Sequence, residues 1–159
     1  MSLVNGYINY IIFENGDLIN INTGNMIRAT LDIDSGYLRY QMKRNDGKLK
    51  HVRQHKLLGE YFLKKPIIGD KLIMDHIDGK RDNNKLSNLR WLDYSGNRLN
   101  SKISNINTSG WTGITKKKNN RYLAKITIKG RKSEKTFDTL HDAQYWRNDI
   151  IESYISQFD

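Results

Sequence analysis

No apolar run in this chain is longer than a handful of residues, and turn dipeptides interrupt the runs at short intervals. We expect no membrane-spanning helix, because such a helix needs about 20 consecutive apolar residues. Hydrophobic residues still make up 37% of the 159 residues, which is enough to bury a core. The first residues lack the basic flank and long apolar stretch of a secretory signal. These features predict a soluble intracellular protein of one domain or of a few small modules.

The composition also limits the chemistry and the partners. There is no cysteine, which excludes disulfides, thiolate zinc sites and cysteine nucleophiles. The net charge is +10, and the segment from Ser101 to Lys135 holds ten bases with one acid, Glu134. Such a block is either a solvated face or a surface that binds a polyanion. Nucleic acid is favoured over a membrane because no basic amphipathic helix is evident. No protein partner is evident, and a monomer and a dimer are equally open.

The first 50 residues are β-like and show no pattern that indicates chemistry. Branched and aromatic residues fill short segments separated by glycine-containing turns. The predicted strands of this small scaffold sheet are Tyr7–Phe13, Asp17–Ile21, Met26–Ile33 and Tyr37–Lys43. A short amphipathic helix is predicted over His51–Phe62, where apolar residues recur at helical spacing.

The middle of the chain is its most informative part. Leu72–Ile77 is predicted to be a buried strand that ends in Asp75 and His76. A polar loop separates it from a second predicted strand, Asn88–Leu92. A capped helix should follow, and its first turns hold Asn97. If the strands pair across the loop and the helix crosses them, Asp75 and His76 come close to Asn97.

These three side chains suit the hydrolysis of a phosphodiester. A neutral imidazole can take a proton from water near pH 7, so His76 is the predicted general base. Carboxylate and amide oxygens are hard ligands suited to Mg²⁺ or Mn²⁺ and poor for zinc, so Asp75 and Asn97 are the predicted ligands of one divalent cation. Asn88 is predicted to accept a hydrogen bond from His76 and fix its tautomer. Taken singly, each residue has an ordinary structural alternative, such as a turn cap or a buried histidine.

The sequence DHIDGKRDNNKLSNLRWLDYSGNRLN, residues 75–100, resembles the HNH nucleases of the ββα-metal fold. It is similar to their cysteine-free branch, which includes phage intron-encoded homing endonucleases, in its Asp-His, Asp-Gly, paired asparagines and Asn-Leu-Arg-Trp. The resemblance covers roughly residues 5–100 and implies the same roles for Asp75, His76, Asn88 and Asn97. It further implies that Arg90 lies near the DNA backbone. For His55 of the upstream helix two roles stay open, a structural residue of the scaffold or a residue of the active site. The resemblance implies that the enzyme is encoded by a phage or a mobile element. If it is phage-encoded, it would act in the host cytoplasm.

The C-terminal segment predicts a second module. Its three predicted strands are Trp111–Lys116, Arg121–Ile128 and Lys132–Phe137. The middle strand alternates apolar residues with Arg121, Lys125, Thr127 and Lys129, so one face of the sheet should be core and the other cationic. Thr139 and Asp142 predict a capping box, and the helix that they begin presents an apolar stripe to cover the core face.

This segment resembles the DNA-binding domain of plant ethylene-response transcription factors, which also occurs fused behind HNH nucleases. The matching residues include Gly110, Trp111, Gly113, Tyr122, Phe137 and Ala143. The resemblance implies that the sheet enters the major groove of double-stranded DNA, which alone carries the full donor and acceptor code. The groove-facing positions that it implies are Thr112, Thr115, Lys117, Lys125, Thr127, Arg131 and Ser133. Arg121 is added to the DNA-binding face by the alternation alone.

We therefore expect an α+β protein with a nuclease domain over residues 1–100. Its parts are a β-rich scaffold over 1–50 and a helix with the ββα-metal core over 51–100. A linker over 101–109, either a tether along DNA or a plain loop, leads to a domain of three strands and one helix over 110–159. The expected function is a metal-dependent DNA endonuclease, either a homing endonuclease or a nickase. A catalytically inactive DNA-binding regulator and an RNA-binding basic protein are the alternatives.

Overall fold

The structure is a computed structural model of the chain, and it describes residues 1–67, 71–100 and 110–158. Small antiparallel sheets and three α-helices make up these ranges, so the predicted α+β class is confirmed. None of the helices in these ranges is long and apolar enough to span a bilayer. The linker predicted over residues 101–109 lies outside the described residues.

Packing divides the described residues into two compact units. The first unit contains Met1–Ile67 and Met74–Trp91, and the second contains the described residues of Ile68–Ile73 and Leu92–Asp159. The short helix that follows the second core strand thus belongs to the C-terminal unit, whereas the sequence-based boundaries assign it to the nuclease domain. Those boundaries divide the chain by function rather than by packing, and they stay a prediction.

Two small sheets occupy the region where one scaffold sheet was expected. A four-stranded sheet contains, in spatial order, β1 (Ser2–Leu3), β2 (Tyr10–Ile12), β3 (Leu18–Asn20) and β4 (Met26–Ile27). A three-stranded sheet contains β5 (Thr30–Asp32), β6 (Tyr37–Lys43) and β7 (Leu49–Arg53). The strand predicted over 26–33 is therefore two strands, because β4 pairs with β3 and β5 pairs with β6.

One apolar core joins both sheets to helix α1 (Gln54–Phe62). Ile12, Met42 and Leu58 are among its fully buried side chains. The helix begins three residues later than predicted because residues 51–53 stay in β7 and pair with β6. Helix α1 therefore starts directly at the end of a strand, which places Gln54 beside the sheet that precedes it.

The core motif follows the predicted order of two strands and a helix. Strands β8 (Ile73–His76) and β9 (Leu89–Leu92) pair in a two-stranded sheet, and helix α2 (Tyr94–Leu99) comes next. Asp93 caps α2, since its Oδ1 accepts a hydrogen bond of 2.8 Å from the backbone N of Gly96.

The second unit contains the sheet and helix predicted for the C-terminal segment. Strands β10 (Ile114–Lys116), β11 (Tyr122–Ile128) and β12 (Arg131–Phe137) form an antiparallel sheet in chain order, and helix α3 (Leu140–Ile155) follows. The predicted cap is present, because Thr139 Oγ1 accepts a hydrogen bond of 3.1 Å from the backbone N of Asp142. Ala143 of α3 packs against Ala124 of β11, so the helix covers the apolar face of the sheet.

The hairpin between β11 and β12 is shorter than expected. Its turn has two residues, Lys129 and Gly130, with φ angles of 47° and 79°, and Ile128 pairs directly with Arg131. Two residues of positive φ are typical of a type I′ turn, whose twist suits a hairpin. Strand β12 thus begins one residue earlier than predicted. Because side chains alternate along a strand, the β12 residues on each side of the sheet differ from those that a three-residue turn would place there.

Tyr154 joins α3 to the cap of α2 within the second unit. Its hydroxyl donates a hydrogen bond to Oδ2 of Asp93, a residue that is only 4% exposed. Lys129 Nζ lies 3.7 Å from the same oxygen. A buried carboxylate depends on such donors because it has lost its contact with water.

We expect Tyr154→Phe to lower the free energy of unfolding by about 1–3 kcal/mol, because it removes a donor from a buried charged acceptor. Urea denaturation followed by circular dichroism measures this change. Tyr145→Phe on the same helix is the matched control, since Tyr145 is 71% exposed, and it should change stability by less than about 0.5 kcal/mol. Equal effects of the two substitutions would contradict the role of Tyr154.

Candidate active site and nucleic-acid interface

Asp75 and His76 are the last two residues of β8, and both are buried, with exposed fractions of 7% and 5%. Buried polar groups need partners within the protein. Asp75 Oδ2 lies 3.1 Å from Nε of Arg90 on the paired strand β9. This ion pair compensates the buried carboxylate and connects the two strands of the core motif.

The ring of His76 is held by Asn84, from the loop between β8 and β9. Asn84 Oδ1 lies 2.8 Å from His76 Nε2, and Asn84 Nδ2 donates a hydrogen bond of 2.7 Å to Oε1 of Gln54. Gln54 Nε2 in turn donates to the hydroxyl of Tyr40 at 2.6 Å and to the backbone O of Gly16 at 3.2 Å. The hydroxyl of Tyr40 also donates to the Gly16 oxygen. A continuous series of hydrogen bonds therefore runs from the N-terminal sheets to His76, and we call it the amide relay.

Asn88, to which we assigned the orientation of His76 from the sequence, makes other contacts. Its Oδ1 accepts a hydrogen bond of 3.1 Å from the backbone N of Asp78, and its Nδ2 donates to Asp78 Oδ1 at 2.9 Å and to the backbone O of Asn83 at 2.8 Å. Asn88 thus closes the loop that follows His76. Hydrogen bonds to its carboxylate, led by that from Asn83, lower the pKa of Asp78 to about 2.

The sequence did not single out Asn84 and Gln54 as site residues. Asn83 and Asn84 lie in the polar loop and have ordinary turn residues as their structural alternative, and Gln54 is one polar position in the predicted amphipathic helix. The signal that could have identified Asn84 is the pair of asparagines in the HNH motif, to which the sequence reasoning assigned no role.

His55 of α1, whose role the sequence left open, packs as a neutral ring against His76. It is 2% exposed, and the ring centroids of the two histidines are 4.9 Å apart in an edge-on arrangement. Burial, followed by the positive charges of neighbouring side chains, lowers the pKa of His55 to about 3. Its Nδ1 is buried and has no hydrogen-bond partner among the described residues.

Two guanidinium groups lie over the ring of Tyr37, close to these histidines. Cζ of Arg53 is 4.4 Å from the ring centroid and Cζ of Arg81 is 5.2 Å from it. The Tyr37 ring centroid is itself 6.0 Å from that of His76. The aromatic ring stabilises both cations through its π face, so positive charge is concentrated beside the candidate general base. This arrangement suits a phosphate group.

The predicted metal ligands lie in different units. Asp75 belongs to the first unit, and Asn97 lies in α2 of the second unit, where it is half-buried. Their convergence stays a prediction. In the part of the chain that the structure describes, no three His, Cys, Asp or Glu side chains form a group that could hold a metal ion. The predicted ligands do not form such a group, because they are only one carboxylate and one side-chain amide. The carboxylate of Asp75 and the amide oxygen of Asn97 are hard oxygen donors, which in their chemistry fit a divalent cation such as Mg²⁺.

In the second unit, the face of the sheet opposite α3 is cationic. Lys125 pairs with Glu134 and Thr127 pairs with Lys132, and directly paired residues share a face of an antiparallel sheet. Lys132 Nζ lies 2.9 Å from Glu134 Oε2, and this contact is the main cause of the lowered pKa of Glu134. Thr115 lies on the same face, since it pairs with Leu123 two residues before Lys125.

Arg131 and Ser133 do not share that face, which corrects the sequence-based assignment. They pair with Ile128 and Ile126, the apolar residues on the side of α3. With Tyr154 of α3 they line one recess on this side. The resemblance had assigned these two residues to the groove-facing side. In the structure the two-residue turn pairs Arg131 with Ile128, and this register places both on the side of α3.

The remaining predicted DNA-binding residues of this unit are exposed around the strands. Thr112 precedes β10, and Lys117 and Arg121 flank the turn between β10 and β11. Arg121 Nε forms an ion pair of 2.7 Å with Asp138 Oδ1. Arg90 of the first unit forms an ion pair with Asp75, and its position near the DNA backbone stays a prediction.

Comparison with known proteins identifies relatives of this chain, although no protein-family model matches it. The DNA endonuclease I-HmuI of Bacillus phage SP01 is 30% identical over 126 residues, which cover 79% of this chain and 70% of that protein. An uncharacterized HNH endonuclease of Acanthamoeba polyphaga mimivirus is 26% identical over 140 residues. That match covers 88% of this chain but only 32% of the mimivirus protein.

A solved structure also matches, and it is described as "DNA binding and cleavage by the HNH homing endonuclease I-HmuI". The TM-score is 0.50 at 25% sequence identity, and the match covers 84% of this chain and 76% of the other. The sequence and structure comparisons therefore point to the same group of proteins.

The low pKa of His55 has a consequence for stability. In the unfolded chain a histidine titrates near 6.5, whereas His55 of the folded protein stays neutral down to about pH 3. Its contribution to stability is therefore complete above pH 6.5 and is lost as the pH falls towards 3.

We expect His55→Phe to reduce the loss of stability between pH 7 and 4, as measured by urea denaturation at each pH. The exposed His51 provides the matched control, and His51→Phe should leave this loss unchanged. An NMR titration of the His55 ring protons that gives a pKa near 6.5 would contradict the expectation.

Proposed function

Because this chain belongs to the HNH endonuclease family, we propose that it is a metal-dependent endonuclease that hydrolyses phosphodiester bonds of double-stranded DNA. The observation that carries the proposal is the buried Asp75–His76 pair at the end of β8, with both side chains held by partners from other elements. The names of the relatives, a DNA endonuclease of a Bacillus phage and an HNH homing endonuclease, support DNA as the substrate and a homing enzyme of phage origin. A nickase and a mobile-element origin remain part of the proposal. In a phage-encoded case the enzyme would act in the host cytoplasm.

The proposed mechanism gives His76 the role of general base, which takes a proton from the attacking water. Asp75 and Asn97 would hold one Mg²⁺ or Mn²⁺ ion, which when bound supplies charge neutralisation at the scissile phosphate and at the departing 3′ oxygen. Arg90 orients the Asp75 carboxylate through its bond of 3.1 Å. Asn88 keeps the loop after His76 closed through its bonds to Asp78 and Asn83.

Arg53 and Arg81 are proposed to bind a backbone phosphate next to the bond that is cut. Both guanidinium groups lie over Tyr37, whose ring neighbours that of His76. Arg81 Nη1 also donates a hydrogen bond of 2.9 Å to the backbone O of Ser35, which holds the side chain in place. A phosphate bound here would bring the DNA backbone to the general base without contacting any base edge.

The cationic face of the second unit is proposed to supply affinity and sequence preference. The resemblance to the plant ethylene-response domain supports insertion of this face into a major groove, and the register places Thr115, Lys125, Thr127 and Lys132 on it. Thr112, Lys117 and Arg121 extend the positive and polar surface at the ends of the strands. Arg131 and Ser133 leave the proposed groove-facing set because they lie on the side of α3.

We expect His76→Ala, Asp75→Ala and Asn97→Ala each to lower the rate of nicking by roughly a hundredfold or more, since each removes a group from the chemical step. DNA binding should be retained. Relaxation of supercoiled plasmids of varied sequence measures cleavage, gel shifts measure binding, and EDTA should stop cleavage by the unaltered protein. The exposed His51 serves as the control, because His51→Ala should cut normally. Wild type that shifts DNA but cuts none with either metal would identify an inactive regulator.

The corrected register gives a test of the DNA-binding face. We expect Lys125→Ala with Lys132→Ala to weaken binding and to flatten the dependence of log K on log salt by up to about 2 units. The matched control is Arg131→Ala with Lys135→Ala, which removes the same charge from the opposite face, since Lys135 pairs with Ala124. An equal loss in both double variants would show that net charge, rather than this face, determines binding. Stronger binding to RNA in competition would favour an RNA-binding protein instead.

A further inference from the structure

We propose that Gln54 and Asn84 are positioning residues that determine which ring nitrogen of His76 carries its proton, through the amide relay that starts at the backbone carbonyl of Gly16. The inference rests on the proposed function, in which His76 is the general base. It gives the N-terminal sheets, in which the sequence showed no sign of chemistry, a part in preparing the active site.

The direction of the relay follows from its first member. A backbone carbonyl oxygen can only accept hydrogen bonds. The Gly16 oxygen accepts one from the hydroxyl of Tyr40 and one of 3.2 Å from Nε2 of Gln54. Since the hydroxyl of Tyr40 uses its single proton on Gly16, it accepts the bond of 2.6 Å from Gln54 Nε2. The donor end of the Gln54 amide therefore faces Gly16 and Tyr40, and its acceptor end faces Asn84.

The second amide transmits this direction to the histidine. Asn84 Nδ2 donates to Gln54 Oε1 at 2.7 Å, so the carbonyl oxygen of Asn84 is the atom that faces the His76 ring. That oxygen can only accept, so His76 Nε2, at 2.8 Å, must carry the proton. A neutral imidazole has one protonated nitrogen, which leaves Nδ1 as the acceptor that can take a proton from water.

The opposite direction would require both amides to turn over. Gln54 Oε1 would then lie where Nε2 now lies, 3.2 Å from the Gly16 oxygen, and two acceptors would face each other without a proton between them. Tyr40 is 1% exposed, and burial raises the pKa of its hydroxyl to about 12, so the hydroxyl keeps its proton at neutral pH. Gln54 and Asn84 are half-buried, and amides with limited access to water favour the orientation that satisfies every donor and acceptor. The relay therefore has one favoured direction.

The short distance between the Gly16 backbone and the Gln54 side chain explains why this turn contains a glycine. Its φ is +88°, and a Cβ at this position would lie 2.6 Å from Gln54 Nε2. Any other residue would strain the backbone and push on the amide that begins the relay. The Asn15-Gly16 turn, which the sequence presents as a connection between strands, thus forms the fixed end of the relay.

The tautomer can be measured without DNA or metal. In ¹⁵N-labelled protein, long-range ¹H–¹⁵N correlation spectra distinguish the Nε2–H from the Nδ1–H form of each histidine ring. We expect the wild type to show His76 as Nε2–H at neutral pH. A wild-type His76 found as Nδ1–H would overturn the proposal, whatever the nuclease assays show.

The decisive variant is Gln54→Met, which has a similar volume and cannot orient Asn84. We expect its His76 to show a mixture of both tautomers and kcat for cleavage to fall roughly tenfold or more, since a general base contributes ~10²–10⁴-fold. KM and the dissociation constant for DNA should stay unchanged. Glu60→Met, at an exposed position of the same helix, should alter neither the tautomer nor kcat. Retention of both by Gln54→Met would overturn the proposal, as would a changed tautomer with unchanged kcat.

A second variant tests the proposal if Gln54→Met does not fold. If circular dichroism shows that Gln54→Met is unfolded, Gly16→Ala disturbs the same amide from the backbone side and should also mix the tautomers. An unchanged Nε2–H form in folded Gly16→Ala would then count against the relay. A wild type that shows the expected tautomer but cuts no DNA would reject the proposed function and leave the relay itself standing.

Discussion

Two adjacent polar residues at the end of a buried strand impose the main constraint on the first unit. Asp75 and His76 can stay there only if other elements supply their partners, since an unsatisfied buried polar group costs about 1–3 kcal/mol. The partner strand supplies Arg90 to Asp75, and the following loop supplies Asn84 to His76. Asn84 is bonded in turn to Gln54 of α1. The N-terminal sheets, the helix and the core motif are thus connected through one polar network. This explains how the β-rich N-terminal segment and the strand that carries Asp75 and His76 share a single compact unit.

Local signals allowed the sequence to predict much of this arrangement. Strand β8 with its terminal Asp75 and His76, the presence of a cap before α2 and the capping box at Thr139 each depend on residues that are close together in the chain. Which residue caps α2 was open in the sequence, and the structure identifies Asp93. The contacts of Asn84 depend instead on a side chain from a distant helix. No periodicity reports such a contact, and an asparagine pair has the same appearance in any turn. For the same reason the neutral state of His55 could not be predicted, since it results from burial among residues of several elements.

The faces of the C-terminal sheet could be predicted only in part from local signals. The alternation in β11 was predicted correctly, and it identified Lys125 and Thr127 as exposed. The assignments in β12 came from the resemblance to the plant domain, and local sequence could not check them because the register of β12 depends on the length of the preceding turn. The turn has two residues of positive φ, Lys129 and Gly130, and it pairs Arg131 with Ile128 and Ser133 with Ile126, which places both on the side of the helix.

This hairpin makes the outer surface of the sheet sensitive to the length of a single turn. One residue added to or removed from the turn at Lys129 and Gly130 would rotate the whole of β12 by half a period, since side chains alternate with a period of two. Lys132 and Glu134 would turn inward, and Arg131, Ser133 and Lys135 would take their places on the outside. Three surface positions would change together without a codon for any of them being altered. An insertion or deletion in this short turn would therefore exchange the outward-facing residues of β12 as a group, which no single point substitution does.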